Sequence, residues 1–110
     1  MKRLKVEVTV DRPLGYTDQF GNVYPLNYGF VAGVIGGDGE AQDAYIVTED
    51  SDILTTFVGE VVAVAVRQDD VEEKWIVTDG SREYSAAELY QKVAFMEQYF
   101  KTTIKLVGAD

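Results

Sequence analysis

The chain has 110 residues, enough for one domain spanning 1–110. It contains no cysteine and no histidine, which excludes disulfides, thiolate and imidazole metal sites, and every Ser–His or Cys–His catalytic pair. The net charge of −9 makes nucleic acid and anionic membranes poor partners, and the longest apolar run, Val61–Val66, falls far short of the roughly 20 residues of a membrane span.

Met1–Lys5 is charged but no apolar segment follows, so no signal peptide is expected. Leu4, Val6, Val8 and Val10 alternate with polar residues, which predicts a first strand. Pro13 and Gly15 end it. Tyr16 to Asn22 is polar and reads as a loop. Tyr24 to Ile35 is aromatic and apolar, with Pro25, Gly29 and Gly33, and reads as short extended pieces around tight turns. Gly36-Gly37-Asp38-Gly39 is a loop signal. Ala44 to Thr48 predicts a short strand. Ile53 to Arg67 predicts two strands, or one bent near Gly59, and Lys74 to Thr78 another.

Asp79-Gly80-Ser81 predicts a turn. Ser85 with Glu88 forms a capping box, and Leu89, Val93, Met96 and Phe100 fall on one helical face. A helix is therefore expected over Ala86 to Phe100, with those four side chains buried. Thr102 to Val107 predicts a last strand. The expected fold class is mainly β: a small closed or partly open barrel of five to seven short strands, with one C-terminal α-helix.

Carboxylates, hydroxyls, lysines and arginines are the chemical groups left. Asp38, Glu40 and Asp43 lie within six residues, and Asp43 opens the apolar run Ala44-Tyr45-Ile46-Val47. Such a set can converge on a hard cation, or can simply be an acidic surface turn. The spacing fails the EF-hand pattern.

Tyr24-Pro25-Leu26-Asn27-Tyr28-Gly29-Phe30, followed in register by Asp38-Gly39-Glu40-Ala41-Gln42-Asp43, resembles the family I inorganic pyrophosphatases. Their pattern is Tyr-Pro-x-Asn-Tyr-Gly-aromatic, then Asp-Gly-Asp-Pro-x-Asp and an apolar strand. The match is ungapped from Tyr24 to about Val47. Downstream, Asp70 to Ile76 is similar to the segment that carries two further acidic ligands and a phosphate-binding lysine, once a short gap is allowed. Phe95 to Tyr99 is similar to the family's C-terminal helix.

The resemblance implies an OB-like, pyrophosphatase-type β-barrel and Mg²⁺-dependent hydrolysis of pyrophosphate, with Mn²⁺ as a substitute metal. It implies Asp38, Asp43, Asp70 and Glu72 as metal ligands and Glu40 as the catalytic base. It implies Tyr28, Lys74, Tyr99 and Arg12 as phosphate-binding residues. Pyrophosphate or another small phosphate compound would be the partner, the location cytoplasmic, and self-association in line with bacterial relatives. The pattern also departs from the family. Glu40 stands where an aspartate is usual, Ala41 replaces a proline, and Phe100 occupies the place of a lysine. Members are usually well over one and a half times as long, and most of their N-terminal region has no counterpart. These departures leave open an altered relative that binds a metal and a phosphate-containing ligand or a protein, and also a plain barrel scaffold with an acidic face.

Overall fold

The computed structural model describes residues 3–68 and 71–108. Six strands and one helix follow in the order β1 (Lys5–Arg12), β2 (Tyr28–Ile35), β3 (Ala41–Val47), β4 (Thr56–Arg67), β5 (Glu73–Thr78), α1 (Ala86–Glu97) and β6 (Thr102–Leu106). The sheet runs β1-β2-β3-β5-β4-β6, and β1 also pairs with β4. That second pairing closes five strands into a barrel, the class expected from the sequence.

β4 makes the closure work. Its first half, Thr56 to Glu60, pairs with β1, and its second half, Ala63 to Arg67, pairs with β6. Its other edge pairs with β5. Every pairing is antiparallel except β3 with β5.

The wall has two apolar faces, because successive strand residues point to opposite sides. Tyr45 and Val47 of β3 join Tyr28, Ile76, Leu89 and Val93 in the cluster that includes the helix. Ala44 and Ile46 join Val8, Val31, Val61 and Val77 in the other.

Several boundaries differ from the sequence expectation. The segment 53–67 forms one strand in its C-terminal part, and its irregularity lies between Val61 and Ala63, not at Gly59. Gly59 serves close packing instead: a Cβ there would stand 2.3 Å from the Thr78 carbonyl oxygen. Tyr28–Ile35 is one strand, not several pieces. Its register shifts between Val31 and Ile35, where Gly33 adopts φ +83°. β1 continues to Arg12 through a register shift between Val10 and Arg12.

The helix has the expected capping box, with Ser85 Oγ accepting from the Glu88 N–H and Glu88 accepting from the Ser85 N–H. It ends at Glu97, three residues before the expected end. Phe100 is at the surface, and the buried stripe is Leu89, Val93 and Glu97. A carboxylate takes the third place on that stripe because Arg67 meets its charge there.

Gly29 tests the packing of β1 on β2 directly. A Cβ at Gly29 would lie 1.9 Å from the Thr9 carbonyl oxygen, a backbone atom that cannot swing away. Overpacking a tight core costs about 1–3 kcal/mol, so Gly29→Ala is expected at or above the upper end, read as a fall in the denaturant midpoint. An unchanged midpoint would disprove the close approach of β1 and β2.

Candidate functional site

Three adjacent strands bring the candidate residues to the helix side of the wall. Tyr28 pairs with Tyr45 across β2 and β3, and Ala44 of β3 pairs with Trp75 of β5. Asp43 and Lys74 precede those partners, so their side chains share a face. The Lys74 ammonium donates to Tyr28 Oη at 2.9 Å and to Asp43 Oδ2 at 2.5 Å, and also contacts Glu72 Oε1. Lys74 is buried, and only its charged partners make that tolerable. Burial first, and then the Asp43 carboxylate, push the Tyr28 hydroxyl well above the ordinary tyrosine range. Tyr28 therefore remains a neutral hydroxyl, able to hydrogen-bond a phosphoryl oxygen.

Arg12 stands beside this group. Its guanidinium donates to Tyr24 Oη at 2.5 Å and lies 5.6, 5.7 and 5.8 Å from the ring centres of Tyr16, Tyr24 and Tyr28. Those are cation–π distances. Burial works against its charge, but the Tyr24 hydrogen bond and the surrounding hydroxyls more than offset it.

Behind Lys74 lies a second ionic pair that the sequence reading did not single out. Arg67 grips Glu97 with two hydrogen bonds, Nε–Oε1 at 3.0 Å and Nη2–Oε2 at 2.7 Å. Tyr45 Oη and Thr102 Oγ1 also donate to Glu97, at 2.5 and 2.7 Å. Arg67 Nη1 reaches Glu72 at 3.4 Å, which links the two groups. The Phe100 ring covers Arg67 at 3.6 Å. A signal for the pair did exist: Glu97 sits four residues after Val93, and Arg67 two after Ala65, so two opposite charges occupy apolar stripes.

Arg12, Tyr28, Arg67 and Lys74 open onto one cavity of about 180 Å³. Three fixed positive charges and a neutral hydroxyl there suit a small anion of high charge. Lys74 and Arg67 are held in place by Asp43, Glu72 and Glu97, so the positive groups that line the cavity are backed by carboxylates outside its lining.

The acidic candidates fall into different surroundings. Asp43 and Glu72 meet at Lys74, as above. Asp38 joins them around a shallow depression on the outer rim, and its Oδ1 accepts the Glu40 N–H at 3.0 Å. Glu40 is exposed on the Gly36–Glu40 turn. Asp70 lies outside the described residues. Among the described residues no three Asp or Glu side chains form a metal-holding group. Tyr99 is exposed and lines a neighbouring groove instead of the cavity.

The donor chemistry still fits a hard divalent cation. Asp43 and Glu72 offer only oxygen, the ligand type of Mg²⁺ and Mn²⁺, and their carboxylates already meet around a cationic group.

No family model and no curated protein matches this sequence. Solved structures do match. The inorganic pyrophosphatase of Coxiella burnetii superposes with a TM-score of 0.64 at 16% identity, covering 98% of this chain and 86% of that one. That of Ehrlichia chaffeensis gives 0.64 at 17% identity, over 96% and 86%. The Helicobacter pylori enzyme gives 0.63 at 18% identity, over 94% and 82%. The chain has the pyrophosphatase fold. Among the described residues no helix is long and apolar enough to cross a membrane.

Proposed function

We propose that the protein binds pyrophosphate or a closely related phosphate compound in the Arg12–Tyr28–Lys74 cavity and hydrolyses it with Mg²⁺. The observation that carries this reading is the convergence of Arg12, Arg67 and Lys74 on a cavity beside the carboxylates of Asp43 and Glu72. The shared fold and the paired motifs at Tyr24–Phe30 and Asp38–Asp43 support it.

In this reading Asp43 and Glu72, with Asp38 beside them, would hold the metal, and the resemblance adds Asp70 as a further ligand. Mg²⁺ supplies neutralisation of phosphoryl oxygens and acidification of water. Arg12, Lys74 and the Tyr28 hydroxyl hold the substrate, with Tyr99 at the edge. Glu40 takes the proton of the attacking water. Lys74, now held by Asp43 and Glu72, would donate to a phosphoryl oxygen of the substrate.

A second reading rests on the same lysine. Its salt bridges to Asp43 and Glu72 engage both carboxylates with a cation of the chain's own, an arrangement that would suit a protein that binds a phosphate compound and does not cleave it.

Phosphate release from pyrophosphate, with and without Mg²⁺, decides between the two. Lys74→Met gives a further expected outcome with opposite signs. A charge-assisted hydrogen bond is worth about 1.5–3 kcal/mol, so pyrophosphate affinity should fall roughly 10- to 100-fold. Mn²⁺ affinity, followed by the spin resonance of the free ion, should rise, because the competing ammonium is gone. A joint loss of both affinities would show that Lys74 merely holds the site together.

A further inference from the structure

The phosphate cavity does not end at the phosphate groups. Arg12, Met96 and Phe100 line it, and the same three residues line an open groove of about 450 Å³ whose other walls include Phe20 and Tyr99. Phe20 is 80% exposed and Tyr99 63% exposed. Two aromatic rings thus stand in solvent beside a cavity lined by Arg12, Arg67 and Lys74.

Phe20 is held in place. Asp18 Oδ1 accepts the N–H groups of Phe20 and Asn22, both at 2.9 Å, and Thr17 bridges to Val23. These bonds fix the backbone of the turn that carries Phe20 at the wall of the groove. Pyrophosphate has no apolar surface and would leave this wall unused. The cavity alone also falls below the roughly 300–1,000 Å³ typical of organic-ligand sites, whereas cavity and groove together fall within that range.

We propose that the ligand is a diphosphate bearing an aromatic ring, of the nucleoside diphosphate class. Its phosphates occupy the cavity of Arg12 and Lys74, and its ring stacks in the groove against Phe20 and Tyr99. The inference rests on the phosphate-binding reading above and narrows its substrate class. Stacking is tolerant of which ring it receives, because every base has a π-face. The groove therefore selects for a ring without specifying one base.

Calorimetric titration of the full chain in Mg²⁺ buffer with pyrophosphate, ADP and adenosine tests this. ADP should bind roughly ten-fold tighter than pyrophosphate, the contribution of one stacked base. Phe20→Ala should remove that preference, and Phe20→Trp should restore it. Pyrophosphate binding as tightly as ADP to the native protein would overturn the inference while leaving the phosphate site standing. So would a preference for ADP that survives Phe20→Ala. Adenosine binding as tightly as ADP, or no binding of either phosphate compound, would overturn the phosphate-binding reading itself.

Discussion

Glu97→Ala should lower the melting temperature by about 15 °C, more than any other single change considered. The side chain is fully buried and accepts from Arg67, Tyr45 and Thr102. Removing it leaves Arg67, itself only 6% exposed, without its two short hydrogen bonds and with only the longer 3.4 Å contact to Glu72 against its buried charge. Breaking such a pair costs about 3–5 kcal/mol, and a domain of this size loses roughly 4 °C per kcal/mol. Replacing both partners, Arg67→Met with Glu97→Leu, should recover much of the loss, because the desolvation penalty disappears with both charges. A double variant no better than Glu97→Ala would mean that the pair itself is stabilising. The pair also sets an acid limit. Burial acts to raise the Glu97 pKa, but hydrogen bonds from Arg67, Tyr45 and Thr102 hold it below the ordinary glutamate value. The unfolded chain therefore takes up the proton more readily than the folded one. The contribution is complete above the ordinary glutamate pKa and is lost as pH falls through the lower folded value.

Glu40→Gln should reduce Mg²⁺-dependent phosphate release by ~10²-fold or more, the worth of a positioned general base. Glu40 occupies the place of the water-orienting aspartate that the sequence resemblance implies, with one methylene more. Its side chain is exposed, so the substitution leaves the packing untouched and the rate reports on chemistry. Glu40→Asp separates two cases. A faster enzyme would show that the extra methylene displaces the carboxylate; a slower one would show that the site is fitted to glutamate. Equal rates for native, Glu40→Gln and Glu40→Asp would remove Glu40 from the mechanism, and equal rates at the background level would favour a binding protein.

The sequence made the fold legible where one physical signal dominated. Strict alternation marked Val6, Val8 and Val10, and the reciprocal Ser85–Glu88 hydrogen bonds marked the helix start. Its end was misplaced because Phe100 continues the apolar spacing, while Glu97, a charge, reads as exposed until Arg67 is seen opposite. That partner lies on strand β4, thirty residues away. The site was legible in the same uneven way. Tyr28, Asp43 and Lys74 meet in space because β3 and β5 run parallel, a pairing that local patterns do not announce. Arg12 follows a register shift after Val10, and such irregularities leave no mark in alternation.

The pairing of β1 with β4 has a kinetic consequence. It sets Lys5 opposite Glu60, and β3 and β5 cannot pair until the intervening chain has looped round. Both contacts carry the entropy of closing long loops before any barrel face is complete. Refolding is therefore expected in the slow range of non-local β-proteins, milliseconds to seconds, with α1 forming early because its contacts are local. Until that seam zips, the edges of β1 and β4 stay unpaired, and dilute protein should refold in higher yield than concentrated protein.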